Sequence, residues 1–320
     1  MKATAIIDTS YSDKAPPANM LTSYVSPTVY LKLIATTIFW GATWVVAHIL
    51  VEEVPPFTAS FVRFAIAVAA LAWFVWDKEG RFPPLTRHQM GTVFWLGFIG
   101  VFLYNYFFLT AMQHITAGRG ALVIALNPVL TALVAWLWFK EGITARKLLG
   151  IVVALSGCLL VISKGRFEEI LNGGLGIGEL LAIGCVVTWA FYTFIGRYAT
   201  RTLSPLVATF YACLVGCVML GVASISEAPW TLVGHFSTKA WFSLLFLGFF
   251  ATALGGTWFT DAVKEIGATR TAPFINLTPI SGVLLGALVL EERLDRVVLI
   301  GGALTIFGVM LTVYQKKQKR

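Results

Sequence analysis

Charge is scarce in this sequence. Only 12% of its 320 residues are Asp, Glu, Lys or Arg, while 58% are hydrophobic. An ordinary soluble domain carries about 25% charged and about 45–50% apolar residues. A globule of this size keeps a charged and polar surface toward water, so a soluble enzyme is excluded, as is a disordered chain. Cysteine is scarce too. Cys158, Cys185, Cys213 and Cys217 all fall in apolar stretches, which excludes a disulfide framework. Cys213 and Cys217 share a helix face, and packing accounts for that spacing better than metal binding. Catalytic motifs are missing as well. There is no H-E-x-x-H, no G-x-S-x-G and no pair of carboxylates inside an apolar run. The Gly173–Gly178 stretch has no strand before it that would make a nucleotide loop. The sequence calls for no cofactor.

What it has instead is long apolar runs. A membrane-crossing helix needs about 20 mainly apolar residues, and ten stretches qualify: 30–50, 57–76, 89–112, 118–139, 146–163, 175–197, 204–224, 239–262, 267–290 and 296–314. They are continuously apolar rather than alternating, which excludes an outer-membrane barrel. Lipid leaves the backbone no partner but itself, so each should be a helix. Residues 1–29, with Ala15-Pro16-Pro17 and no continuous apolar core, read as a disordered cytoplasmic tail rather than a signal peptide.

Lys and Arg in the short loops set the orientation. With the N-terminus inside, seventeen fall on the inner side, six on the outer side, and Arg63 alone lies within a helix. Both termini are therefore expected in the cytoplasm. The net charge of +8 then belongs to loops and the basic tail 315–320 near anionic lipid, and no nucleic-acid partner is implied.

The chain also repeats itself. A shift of 151 residues lays Ile115, Ala117, Arg119 and Ala121 on Ile266, Ala268, Arg270 and Ala272. It also lays Leu126, Pro128, Glu141, Gly150 and Gly157 on Leu277, Pro279, Glu292, Gly301 and Gly308. A shift of 149 lays Trp40, Pro56, Ala59 and Phe61 on Trp189, Pro205, Ala208 and Phe210. Five helices per half is an odd number, so the second half must cross in the opposite sense. The expected fold is all-α and integral to the membrane: ten helices as two inverted five-helix repeats, 30–163 and 175–314, joined by an outer linker at 164–174. Inverted repeats of this kind place a substrate site near the midplane between the halves.

Ala117 to Gly157, with Asn127-Pro128 and Lys140-Glu141, resembles the EamA-type unit of the drug/metabolite transporter superfamily. Ala268 to Gly308 resembles it again, as do Trp40-Gly-Ala-Thr-Trp44 and Pro55-Pro-Phe57 leading to Arg63. The resemblance covers about residues 30–314. It implies a ten-helix secondary transporter that exports small metabolites such as amino acids, with a central cavity. The setting is a bacterial cytoplasmic membrane, with a small-molecule substrate and membrane lipid as partners. A lipid or lipid-carrier flippase of the same fold is the competing reading, and an intramembrane enzyme a third.

The polar exceptions inside the apolar runs are the candidate site. Pro128 and Pro279 each free the carbonyl four residues earlier and mark helix breaks. Asn127, Asn276 and Thr278 flank them, poised equally for substrate contact and for bonds between helices. Trp40, Trp44, Trp189 and Tyr192 are candidates for the cavity wall, with Tyr104 and Asn105 forming a polar aromatic cluster opposite the Gly255-Gly256 stretch and Trp258. Arg63 lies about 9 Å inside its helix, from where snorkelling to the interface or a bond to helix-end carbonyls is the favoured reading and anion binding the second. Glu141 and Glu292, just past their helices, suit a structural turn better than a gate. The glycine pairs Gly282/Gly286, Gly150/Gly157 and Gly301/Gly308 permit close helix packing, and the last two also suit a homodimer.

Overall fold

The computed structural model describes residues 26–139, 144–162, 176–267, 271, 274, 275, 277–292 and 295–313. They are helical, with no strand among them. Among the described residues six helices are long and apolar enough to cross a membrane: α1 (Pro27–Leu50), α2 (Pro56–Glu79), α3 (Arg87–Met112), α7 (Ile177–Ala199), α8 (Pro205–Ser224, apolar on to Glu227) and α9 (Thr238–Ile266). Between and after them lie α4 (Ala117–Ile124), α5 (Asn127–Phe139), α6 (Ala145–Ile162), α10 (Leu277–Val289) and α11 (Arg296–Val313).

The helix starts are written locally. Pro27, Pro56 and Pro205 stand at the first helical position, where a missing N–H costs nothing. Ser26, Ser204 and Ser237 cap α1, α8 and α9, and Thr86 with Gln89 forms a capping box on α3. Gly80 ends α2 in the left-handed region at φ 66°, a conformation that favours glycine.

One expected helix is two. The run 118–139 breaks at Ala125 and Leu126, between α4 and α5. Pro128 has no N–H for the Ile124 carbonyl, so the ladder cannot continue through this turn. Pro279 lies within α10, and its missing N–H leaves the Ile275 carbonyl without that ladder partner.

Glycine sets the helix contacts, as membrane packing requires. A Cβ on Gly157 would meet the Thr305 nitrogen at 2.5 Å and the Gly301 carbonyl at 2.6 Å, and one on Gly150 would meet the Gly308 carbonyl at 2.7 Å. The α6–α11 glycines are thus used within the chain, one against the other. Beside them, the buried Thr305 and Thr312 hydroxyls donate to their own backbone at Gly301 and Gly308, at 2.8 and 2.9 Å. Gly282 does the same work between α10, α1 and α4, where a Cβ would stand 2.8 Å from Ala121 and 3.4 Å from the Gly41 carbonyl. Because its neighbours are backbone, Gly157→Val should destabilise the fold by about 1–3 kcal/mol. A melting curve in detergent checks this, and Gly91→Ala, with open space around the glycine, is the control and should leave the midpoint near wild type.

Candidate functional site

The middle of the bundle departs from α-helix in two places. Within α3, Gly97–Leu103 is π-helical, and within α9, Phe246–Leu254 is too. The 151-residue shift lays Gly97–Leu103 on Gly248–Leu254, so the irregularity is part of the repeat. A π turn bonds i to i+5, interrupts the regular ladder and often marks a functional site. Side chains serve the backbone here. Trp40 Nε1 donates to the Ala251 carbonyl at 3.0 Å, Asn105 Nδ2 to Val101 at 2.7 Å, and Thr252 Oγ1 to Leu247 at 2.8 Å.

Between these segments lies a cavity of about 410 Å³. Gly100 and Val101 line it from α3, and their repeat mates Ala251 and Thr252 line it from α9. Gly100 has no room for a Cβ because the Tyr192 ring lies on it. Trp40, Trp44, Trp189, Tyr104 and Tyr192 supply aromatic walls. Trp44 meets Phe108 edge-on at 4.7 Å, and Trp189 stands 5.7 Å from Tyr104 and 5.5 Å from Tyr192. Asn127 and Thr278, also repeat mates, both line the cavity. Asn127 Oδ1 and Thr278 Oγ1 are buried without a hydrogen-bond partner. Such atoms call for a partner from the cavity itself, solvent or solute.

Arg63 corrects the snorkelling expectation. It is 7% exposed and turns inward, donating from one terminal nitrogen to Asn105 Oδ1 at 3.0 Å and from the other to Thr252 Oγ1 at 3.2 Å. Neither acceptor is a helix-end carbonyl. Gly248 makes this possible, because a Cβ there would lie 2.5 Å from the Arg63 carbonyl. The close crossing of α9 over α2 brings Thr252 within reach. A sequence signal for the inward turn exists in Ala59, Ser60, Phe64 and Ala67, all buried, which place Arg63 on the packed stripe of α2.

Other expected residues fall elsewhere. Trp258 does not line the cavity; its ring stacks on Phe39 at 6.2 Å, beneath the Lys32 ammonium at 5.8 Å. Pro279 lines the cavity, whereas Pro128 is described by its backbone only. Asn276 and Glu141 lie outside the described residues. Thr209, Phe259 and Thr260 also line the cavity, although nothing in the hydropathy pattern singled them out.

Glu292 does not line the cavity; its backbone N–H donates to the Gly286 carbonyl at 3.3 Å in the turn that ends α10, and its side chain reaches further. Its carboxylate accepts from the backbone N–H groups of Ala117 and Gly118 at 2.8 and 3.0 Å, capping α4 in the other half of the chain. Gly118 and Gly286 leave room for it. Three more carboxylates join the halves at the same end of the bundle. Glu227 accepts from the N–H groups of Phe57 and Thr58 at 3.1 and 2.6 Å, Glu53 from Ser237, and Glu179 pairs with Arg119. Behind them Leu50, Val54, Met112, Ile115, Leu181 and Leu244 form part of one buried apolar cluster drawn from both halves. At the opposite end the Lys78–Asp261 pair is about 40% exposed on each side. There Ser204 donates to Glu79 at 3.0 Å and the Tyr211 hydroxyl to the Pro83 carbonyl at 2.8 Å, and a second buried cluster from both halves reaches this end at Val75, Leu206 and Val207.

The EamA-like transporter family model matches residues 27–163 and again 176–314. An "Uncharacterized transporter YyaM" of Bacillus subtilis is 31% identical over 297 residues, covering 91% of this chain and 97% of that protein. An "Uncharacterized transporter" of Archaeoglobus fulgidus is 27% identical, covering 90% and 98%. A crystal structure with a TM-score of 0.58 covers 89% of this chain and 98% of its own at 18% identity, and shows a shared fold.

The capped end makes a pH prediction. Glu53 accepts from the Ser237 hydroxyl at 2.6 Å and from its backbone N–H at 2.5 Å. The hydroxyl bond first, and the backbone bond after it, hold the carboxyl below its ordinary value. A depressed carboxyl contributes its stability in full above the unfolded-chain value of about 4.3 and loses it as pH falls through the lower folded value. The Glu53→Gln protein should therefore melt lower than wild type at neutral pH, and the gap should close on acidification below about pH 4. Melting curves across pH in detergent check both halves of the statement.

Proposed function

This chain belongs to the EamA-like transporter family, within the drug/metabolite transporter superfamily, and we propose that it is a secondary transporter exporting small amphipathic metabolites such as amino acids. The observation that carries the reading is the cavity between the two π segments. Its walls come from repeat mates in both halves, and its Asn127 and Thr278 oxygens lack partners. The volume of about 410 Å³ sits at the small end of ligand pockets, which run about 300–1,000 Å³. That size favours a metabolite over a lipid.

The proposed arrangement is ten crossings in a bacterial cytoplasmic membrane, as inverted repeats 30–163 and 175–314, with both termini in the cytoplasm. The loop charges support the orientation, and the two family matches support the repeats. In this arrangement the end closed by Glu53, Glu179, Glu227 and Glu292 faces outward, and the cavity, which reaches Thr260 beside Asp261, serves the cytoplasmic side. Transport by alternating access would then require the outer carboxylate clasps to release while the inner contacts tighten. The freed N–H groups of α2, α4 and α9 regain water at the outer surface, so release is less costly there than it would be in hydrocarbon.

Counterflow in proteoliposomes tests the reading, with labelled amino acids and related small metabolites as the panel. At least one should exchange, and Asn105→Ala should lower that flux by about tenfold or more, since it strips Arg63 of a charge-assisted bond. No exchange of any solute, with scrambling of a fluorescent lipid instead, would overturn the reading in favour of a flippase.

A further inference from the structure

Among the described residues Arg63 is a charge without a counter-charge. It is the only ionisable Lys, Arg, His, Asp or Glu lining the cavity among the described residues. Its two bonds go to neutral groups, Asn105 and Thr252, and Nε has no partner. The guanidinium also lies 5.1 Å from the centre of the Phe64 ring and 5.9 Å from that of Phe108, which offers partial compensation through the ring faces. A buried cation is costly unless paired. Each neutral acceptor steadies the fork while leaving its charge unspent.

Resting on the transporter reading, we propose that Arg63 is the anchor for the carboxylate of a small organic monoanion, and that the solute's apolar or aromatic body lies among Trp40, Tyr104 and Trp189. Three observations converge on that chemistry. A guanidinium presents N–H donors in a planar fork that matches a carboxylate, and here Nε is the buried prong without a partner. One positive charge balances one negative charge, whereas a phosphate dianion would leave a second negative charge in a cavity with no other cation among the described residues. Among the described residues the cavity also holds no carboxylate to receive an ammonium, so a cationic amine would face Arg63 as a like charge. Within the proposed class, a carboxylate without an ammonium therefore fits better than a zwitterionic amino acid. Asn127 and Thr278 then serve the solute's remaining polar groups. Thr252 and Asn105 are positioning residues in this scheme, because they hold the fork rather than the solute.

Small monocarboxylates, each paired with its amide and its amine, test the proposal on the purified full chain. Phenylacetate, phenylacetamide and phenethylamine make one such set, read by isothermal titration and thermal shift. The expected result is a carboxylate preference of about tenfold or more over the amide, about 1.4 kcal/mol, with no binding of the amine. Arg63→Gln should abolish the preference, and Arg63→Lys, which keeps the charge and loses the fork, should retain part of it. Equal binding of amide and carboxylate would overturn the proposal. So would preference for the amine, no monocarboxylate binding across the panel, or a folded Arg63→Gln protein that binds like wild type. If Arg63→Gln fails to fold, the wild-type preference decides. Exchange of neutral or cationic solutes alone in proteoliposomes would remove this inference and leave the transporter reading standing.

Discussion

Hydrocarbon offers no hydrogen bonds, and this one constraint organises the protein. Every backbone carbonyl released from a helix ladder, and every polar side chain within a span, must find its partner inside the molecule or in a cavity. Two π segments and one proline break interrupt the ladders at mid-depth. The consequences are visible in the Trp40, Asn105 and Thr252 side chains, which turn to backbone carbonyls around the same space. Where the partners run out, Asn127, Thr278 and the Nε of Arg63 belong to residues of one cavity, while Ser60 Oγ is left unpaired outside it.

The same constraint explains how the halves are joined. At one end, helix N-termini emerge with unbonded N–H groups, and carboxylates from the opposite half close on them. Helix ends are favourable places for anions, so these caps stabilise the fold and connect the repeats with one set of bonds. They lie beside water, which makes them reversible. The α6–α11 pair is built differently. Glycine backbones there meet without side chains between them, a contact that has no comparable water-exposed substitute. A frame of this kind, beside ends held by bonds that water can replace, is what the proposed closing on alternate sides would require.

Much of this was legible from residue order. The apolar runs, the repeat, the family, the proline break in 118–139 and the packing glycines all follow from rules that act within a helix or between register mates. Trp40, Tyr104, Asn105, Asn127 and Thr278 were picked out because a polar group at mid-depth is costly anywhere, and each lines the cavity. The failures share a cause. Trp258 is as aromatic and as deep as Trp40, yet its ring turns toward Phe39 and Lys32, because a helix has two sides and composition does not name the inner one. Glu292 belongs by sequence to the end of its own helix, but the partners of its carboxylate lie 174 and 175 residues away.

By itself, then, the sequence determined that the chain lives in lipid, that it is helical, that its halves are copies and which family it joins, since these depend on hydropathy, helical period and register. Tertiary structure alone decided the meaning of Arg63. Read along the chain, it is a cation near the end of a helix with an easy route to water. The close crossing at Gly248 and the π turn that presents Thr252 seal it inside, opposite Asn105 and without a counter-ion among the described residues. Whether a charge is screened or exposed to a cavity depends on which helices stand beside it, and no local pattern carries that information.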